Sequence, residues 1–432
     1  MTLTRELVRL IRNKPVTDAD LERAAGFVVD TLACALAARK TVPARAISTL
    51  SSWSTQDAGR RAFYFGGLAH ILELDDLHRT SVTHPGTVVV PAAAALAETM
   101  QASGRDFLLA VLHGYEACCR VGNAVGKAHY RVWHNTATCG TFGAAMAAAH
   151  LLDLDEDQAV WALGNAGTQS GGVWEFLSAG AMNKHLHTAR AAESGVIAAL
   201  LARQGFTGAD TILEGEKGFF AAFCPDSVPE AVLADRQGPW ELVQTSIKPW
   251  PCCRHTHPAI DAALALHARL AGAPPEEIRV ETYRAALDVC DRPEPTEPYG
   301  AKFSLQHCVA EAIRTGAVTT ASFDGEHRDA ARQLRGITAL AVDPKIEAAY
   351  PDAWGASVKA RVGGEWLEER RAACKGDPEN PLDREELTVK AVELLGLAGF
   401  DAAAARELID GVYALADRNA PVSVFSEVFS AI

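Results

Sequence analysis

Apolar residues recur every three or four positions through most of the first 245 residues, and this periodicity limits the fold more than any other feature. The segment ADLERAAGFVVDTLACALAAR, which follows Thr17 and Asp18, shows it clearly, and a 3.6-residue period places such residues on one helix face. Ala- and Gly-rich segments such as GTFGAAMAAAHLL and TARAAESGVIAALLARQG repeat the pattern between Gly, Asp or Pro breaks. Small residues on helix faces permit close packing of helix axes. We therefore predict a multi-helix bundle.

The helical pattern stops near IKPWPCCRHTHP, where two prolines and several basic and ring side chains interrupt it. Beyond it, EEIRVETYRAAL and ASVKARVGGEWLEERR alternate as strands do, and Gly363-Gly364 suit a two-residue hairpin turn. The segment GDPENPLDREELTVKAVELLGLAG returns to a helical pattern after Leu382-Asp383, and a second helix follows from Asp401. We predict a mainly α protein with a large discontinuous all-helical domain, residues 1–247 and 386–432, and a smaller α+β domain, residues 248–385.

The net charge and the hydropathy of the chain limit the classes of partner that it is expected to bind. The chain of 432 residues carries 54 Asp and Glu against 41 Lys and Arg, a net charge of −13, which disfavours nucleic acids and anionic membranes as partners. No apolar run reaches the roughly 18 residues of a membrane span, and the start lacks the apolar core of a signal peptide. Several cysteines lie in apolar stretches, so we expect reduced core thiols. The vicinal cysteine pairs lack the spacing of a zinc site, so we expect no structural zinc. We expect a cytoplasmic protein whose anionic ligand would need a local cationic pocket.

Reactive side chains concentrate in four segments at breaks of the helical pattern, where active sites tend to be assembled. They are GGLAHILELDDLHRTSVTHPG, HYRVWHNTATCG, MNKHLHTAR and IKPWPCCRHTHP. If the first segment is helical through Asp76, His70 and Glu73 share one face, as do Glu73 and Asp76. Each segment also has a structural interpretation, since buried histidines are usually hydrogen-bonded core residues and acidic pairs often cap helices.

Six segments in succession resemble the MmgE/PrpD family. They are FGGLAHILELDDLHRTSVTHPGTVVVPAAAALAE, WHNTATCGTFGAA, NKHLHTARAAESGVIAALLARQGFTG, KPWPCCRHTHPAIDAALAL, AKFSLQHCVAEAI and GDPENPLDREELTVKA. The resemblance implies a helical domain built from both chain ends, a smaller α+β lid domain and a homodimer. It also implies an enzyme without metal or organic cofactor that acts on a small polycarboxylate, as 2-methylcitrate dehydratase, cis-aconitate decarboxylase and iminodisuccinate epimerase do.

Matched motif to motif, the family's active-site histidines fall on His84 and His134, its lysines on Lys184 and Lys248, and the histidine closing the fourth block on His257. The chain also departs from the family's pattern. Glu73 stands where the family usually has Asp, and Gly66-Gly67 stand where it usually has Asn-Gly. Leu77 stands in place of a frequent Thr, and His307 stands in place of the usual Tyr.

Abstraction of a proton next to a carboxylate needs a base tuned near neutral pH and cations that face the developing charge. We therefore expect His84 or His134 to transfer the proton and Glu73 or Asp76 to orient an imidazole. The predicted carboxylate-binding cations and their supporting residues are Lys184, Lys248, Arg254, His257, Arg79 and His307.

The first expectation for the reaction is a hydro-lyase resembling 2-methylcitrate dehydratase. An epimerase of an iminodisuccinate-like dicarboxylate and a cis-aconitate-type decarboxylase are the alternatives within the family. Two alternatives lie outside this chemistry: a magnesium enzyme using Glu73, Asp75 and Asp76, and an inactive family member that only binds polycarboxylates.

Overall fold

The chain forms two compact units in a computed structural model that describes residues 1–51, 57–417 and 422–429. The first unit contains Met1–Ile247 and Asp383–Ile432, and the second contains Lys248–Leu382. Residues 52–56, 418–421 and 430–432, which the sequence assigns to the helical domain, lie outside the described residues.

The amino-terminal part of the first unit is built from helices. Their bounds are α1 (Leu3–Asn13), α2 (Asp18–Ala38), α3 (Val42–Ser51), α4 (Ala58–Ala69), α5 (Gly86–Met100), α6 (Gly104–Ala124), α7 (Lys127–Tyr130), α8 (Asn135–Leu151), α9 (Glu156–Gly167), α10 (Glu175–Ala179), α11 (Asn183–Arg203) and α12 (Phe219–Phe223). Thr17 begins α2 as its N-cap, because its hydroxyl accepts a hydrogen bond from the backbone N–H of Asp20. The Asp20 carboxylate in turn accepts from the N–H of Thr17 at 2.8 Å, which completes a capping box.

Helix α8 lies at the centre of this unit, where it packs against α5, α6, α9 and α11. Its small residues allow the close approach that the sequence predicts. A Cβ added at Gly195 of α11 would lie 2.3 Å from Cβ of Ala144, and one added at Gly143 would lie 2.7 Å from Cβ of Cys118 on α6. Both distances are far below van der Waals contact, so glycine is required at these two crossings.

The first unit also contains a short strand pair that the all-helical prediction missed. Strand β1 (Leu77–His78) pairs antiparallel with β2 (Thr245–Ser246), and His78 Nε2 lies 2.9 Å from Glu241 Oε2. Two residues per strand are too few to produce a visible period-2 pattern. The pair matters because β1 directly follows the acidic segment of the candidate site.

The second unit is α+β, as predicted. Its sheet has the order β4-β3-β5-β6, formed by β3 (Glu277–Thr282), β4 (Thr338–Val342), β5 (Ala356–Val362) and β6 (Glu365–Arg371). Only the β3–β4 pair is parallel. Gly363 and Gly364 form the β5–β6 turn with φ of 56° and 82°, as a type I′ hairpin requires. The helices are α13 (His257–Leu270), α14 (Arg284–Cys290), α15 (Pro298–Ala301), α16 (Leu305–Thr315), α17 (Gly325–Ala330), α18 (Arg332–Gly336) and α19 (Pro344–Ala349).

The chain then returns to the first unit through α20 (Arg384–Ala398), α21 (Ala402–Tyr413) and α22 (Ser426–Phe429). Asp383 and Asp401 cap the first two of these helices. Helix α20 packs on α2, and Lys390 forms a buried ion pair with Asp30 while it donates to the Leu74 carbonyl at 2.8 Å. This contact fixes the backbone immediately before Asp75. The predicted class, mainly α with a smaller α+β unit, is confirmed.

No helix in the described part of the chain combines the length and apolar character needed to cross a bilayer.

Candidate active site

The acidic segment after α4 is a buried loop and not a helical extension. Helix α4 ends at Ala69, and Glu73 has φ of 59°, in the left-handed region that a helix excludes. The expectation that His70, Glu73 and Asp76 share a helix face is therefore wrong. The loop instead turns each carboxylate toward a different partner.

Asp75 is the carboxylate that contacts the imidazoles. Its Oδ2 lies 2.9 Å from Nδ1 of His70 and 2.8 Å from Nδ1 of His84. All three side chains are buried, and the two ring centroids are 4.6 Å apart. Sequence reasoning assigned this role to Glu73 or Asp76 and selected neither Asp75 nor His70. The adjacent Asp75-Asp76 pair was a visible signal, but the choice between its members depends on the loop conformation.

Asp76 has a different environment. Its carboxylate accepts hydrogen bonds from the Gly86 N–H at 3.1 Å and from the Tyr115 hydroxyl at 2.7 Å, so it caps helix α5. Burial is the main cause that raises the pKa of Asp76 well above its usual value. The contact of Asp76 with an imidazole is made by its backbone carbonyl, which accepts from Nδ1 of His84 at 2.6 Å. The Asp76 side chain therefore does not orient an imidazole.

His134 completes a cluster of three imidazoles. It is the N-cap residue of α8. Its ring is stacked parallel to the ring of His70, with centroids 5.8 Å apart. Its centroid lies 6.3 Å from that of His84. Its Nδ1 is 3.2 Å from Nδ1 of His187, another residue that the sequence prediction did not select. Nε2 of His70 and Nε2 of His134 are buried without a hydrogen-bond partner among the described residues. We call His70, His84 and His134 the histidine cluster.

Lys184 supplies a cation beside this cluster. Its Nζ lies 2.7 Å from both Glu73 carboxylate oxygens, and both side chains are buried. Lys184 is close enough to contribute electrostatically to the lowered pKa of His70 and His134. Glu73 thus holds a lysine near the histidines. Arg79, which follows β1, is buried in the same unit.

Burial is the main reason that His70, His134 and His187 are weak bases. It lowers the pKa of His70, and it lowers that of His134 well below 6.5 with help from the Lys184 charge. Burial likewise lowers the pKa of His187 to about 4. These rings are therefore neutral at pH 7, the state in which an imidazole can accept a proton.

The histidine cluster is also a set of possible metal ligands, since one ligand atom from each ring lies within 4.8 Å of the others. Sequence reasoning found no ligand set because it relied on short spacings, whereas these residues are 14 and 50 positions apart. The magnesium alternative fits poorly. Glu73 pairs with Lys184, Asp75 contacts imidazoles and Asp76 caps a helix, so the three carboxylates do not converge on one point.

The remaining predicted residues belong to the second unit. Lys248 is buried at its start. Arg254 forms a buried ion pair with Asp377, and Nε2 of His257 lies 3.3 Å from the Cys252 carbonyl.

His307 has a structural contact within this unit. It lies in α16, its Nε2 is 2.8 Å from the Ser322 carbonyl and its ring packs on Phe323. Burial lowers its pKa to about 4. These contacts are those of a core histidine that ties α16 to the following turn.

The first unit thus brings together buried imidazoles, a carboxylate in contact with two of them and a paired lysine, which are groups that can accept and donate protons. The model of the MmgE/PrpD N-terminal domain matches residues 5–231, and that of the MmgE/PrpD C-terminal domain matches residues 250–414. The chain therefore belongs to the MmgE/PrpD family, as the sequence motifs predict.

Curated relatives of the chain carry the name cis-aconitate decarboxylase or a variant of it. The chain is 33% identical over 213 residues to the cis-aconitate decarboxylase-like protein oryM of Aspergillus oryzae, which covers 46% of the chain and 44% of the relative. It is 29% identical over 303 residues to cis-aconitate decarboxylase of Homo sapiens, and this match covers 67% of the chain and 61% of the relative. It is 28% identical over 345 residues to the Mus musculus protein of the same name, and this match covers 76% of the chain and 70% of the relative. The chain thus spans less than two thirds of the length of the first two relatives.

Proposed function

We propose that the protein is a lyase that acts on a small polycarboxylate by proton transfer through the histidine cluster. The observation that carries the proposal is the position of Asp75, whose Oδ2 lies within 2.9 Å of two imidazoles that adjoin His134. A buried carboxylate that orients histidines is the arrangement by which enzymes fix the tautomer of a general acid or base.

The tautomer follows from the contacts of His84. Its Nδ1 faces the Asp76 carbonyl and the Asp75 carboxylate, and both of these groups are acceptors, so Nδ1 carries the hydrogen. Nε2 of a neutral His84 ring then holds the lone pair that can take a proton from substrate. One such group contributes roughly 10²–10⁴ to the rate.

Negative charge develops on the substrate when the proton leaves or when a C–C bond to carbon dioxide breaks. The Lys184 ammonium beside His134 supplies a buried cation for this charge, and its bidentate pairing with Glu73 fixes its position. A preorganised cation in a buried site stabilises such charge more than it would in water. Lys248 and His257 stay proposals as substrate-binding residues, supported by the motif match. Arg254, Arg79 and His307 also stay proposals, although His307 departs from the usual Tyr.

Decarboxylation is the first reaction to test, because the relatives are named as cis-aconitate decarboxylases. In this reaction the C–C bond to the departing carbon dioxide breaks and its electron pair stays on the substrate. The substrate then takes up a proton that a ring of the histidine cluster has first accepted from solvent, and the ring returns to its neutral state. Dehydration, the first expectation from the sequence, and epimerisation are the alternatives. Both begin with removal of a proton by the same neutral imidazole.

Proton NMR in D₂O tests the proposal, with cis-aconitate, 2-methylcitrate and a panel of di- and tricarboxylates as substrates. We expect incorporation of solvent deuterium into a product or recovered substrate. His134→Asn should lower the rate by about 10²-fold or more. His150→Asn is the matched control, since His150 lies in the last turn of the same helix, about 24 Å along the axis from His134.

Two results would count against this function. The first is wild-type turnover in both His84→Asn and His134→Asn, which would remove the proposed acid–base groups. The second is the absence of exchange and product formation across the whole panel, together with calorimetric binding of a polycarboxylate. That result would favour the inactive, ligand-binding alternative.

A further inference from the structure

We propose that the histidine cluster binds a divalent transition-metal ion, with Zn²⁺ as the best match, and that the bound ion blocks the proposed chemistry. Ligand atoms of His70, His84 and His134 lie within 4.8 Å of one another, and all three side chains are buried. Neutral imidazole nitrogens suit Zn²⁺ and other first-row transition metals, whereas Mg²⁺ and Ca²⁺ prefer oxygen ligands.

Asp75 already provides the supporting contact that such a site needs. Metal-binding histidines typically donate their second ring N–H to a carboxylate or a carbonyl, which fixes the tautomer and the ring orientation. Asp75 Oδ2 lies 2.9 Å and 2.8 Å from Nδ1 of His70 and of His84. With the hydrogens on Nδ1, the ligand atom of each ring is Nε2.

A second, independent observation points to a ligand at this place. Nε2 of His70 and Nε2 of His134 are buried polar atoms without a hydrogen-bond partner among the described residues. Such atoms are rare in proteins and call for an explanation. An ion that accepts both lone pairs would satisfy them.

The rings must move to close on an ion. Zn–N bonds of about 2.0–2.1 Å in a tetrahedral site place ligand nitrogens about 3.3–3.4 Å apart. One nitrogen of each ring already lies within 4.8 Å of the others, and side-chain rotations would have to bring the three Nε2 atoms onto the ion. Three protein ligands leave the fourth position for water or a substrate carboxylate.

The inhibitory consequence rests on the proposed function, whereas metal binding does not. A lone pair that binds Zn²⁺ cannot accept a proton. Zinc at the histidine cluster should therefore stop deuterium exchange and turnover, and a chelator should restore both.

Titration of the chelator-treated protein with Co²⁺, without substrate, tests binding directly. Three imidazoles and a water should give intense visible absorption bands that saturate at about one Co²⁺ per chain and disappear when Zn²⁺ is added. His70→Gln and His134→Gln should abolish the bands, and Asp75→Asn should weaken binding by about 10–100-fold. His150→Gln and Asp76→Asn, which alter a distant histidine and the helix-capping carboxylate, should bind as the wild type does.

Unchanged Co²⁺ affinity in both His70→Gln and His134→Gln would overturn the proposal, as would wild-type protein that shows no binding at millimolar Co²⁺. Circular dichroism of each variant separates lost binding from lost folding, and a folded His70→Gln that still binds normally is decisive against the site. Stoichiometric binding without inhibition of turnover would leave the metal site intact and contradict the catalytic roles of the same histidines. The two proposals can therefore fail separately.

Discussion

Replacement of Asp75 by Asn tests whether this carboxylate, and not its neighbour, orients the imidazoles. The two Nδ1···Oδ2 contacts of 2.9 and 2.8 Å are charge-assisted. Each is worth about 1.5–3 kcal/mol, roughly twice a neutral hydrogen bond. An Asn side chain can keep neutral contacts, so about half of that energy is lost, or about 1.5–3 kcal/mol for the pair. If this loss falls on the transition state, kcat should decrease by roughly 10- to 150-fold.

Asp76→Asn is the matched control, because it makes the same carboxyl-to-amide change at the adjacent residue. Its side chain contacts the Gly86 N–H and the Tyr115 hydroxyl and no imidazole. We expect a decrease of about 0.5–2 kcal/mol in the free energy of unfolding, as for a helix cap, and a kcat within a few-fold of the wild type. Urea denaturation measures the first quantity, and the deuterium-exchange assay with whichever polycarboxylate is turned over measures the second.

The assignment would be refuted by a normal kcat in Asp75→Asn, or by equal losses in the two variants. NMR of ¹⁵N-labelled histidine adds a readout that needs no substrate. In the wild type the rings of His70 and His84 should show a hydrogen on Nδ1, and Asp75→Asn should change this population.

Three further predictions concern charge and pH. Because burial lowers the pKa of His134, a reaction that begins with proton removal by the neutral ring should show kcat/KM falling with decreasing pH only below 6.5. An acid limb at pH 7 or above would contradict this. Glu73→Gln leaves the buried Lys184 ammonium without its anionic partner, so the free energy of unfolding should drop by about 3–5 kcal/mol. Urea denaturation measures this quantity, and a change below about 1 kcal/mol would contradict the pairing. Burial lowers the pKa of His113 to about 3, so the unfolded state binds more protons between pH 3 and 6.5 and stability falls as the pH decreases. Between pH 6.5 and 5 this difference should lower the free energy of unfolding of the wild type by about 1.5 kcal/mol, and His113→Phe should abolish that decrease. Unfolding curves of the variant that keep the wild-type pH dependence would rule this out.

Features set by neighbouring residues could be predicted from the sequence alone. Thr17, Asp383 and Asp401 cap helices at the expected places, and Gly363-Gly364 turn a hairpin with positive φ. These outcomes depend on hydrogen bonds and backbone preferences within three or four residues. The helical class of the first 245 residues follows from periodicity in the same way. Strand β4 was not predicted because its sequence, TALAV, does not alternate between apolar and polar residues.

The candidate site was decided by tertiary contacts. Sequence motifs identified the segments that contain His84, His134 and Lys184, and the structure brings these segments together. They could not show that Asp75 faces the imidazoles while Asp76 caps a helix, because this depends on a loop in which Glu73 takes a left-handed conformation and pairs with Lys184, 111 residues away. The direction of a buried side chain is set by packing and charge pairing across the whole unit. The local sequence therefore determined which groups are available, and the tertiary structure determined which of them meet.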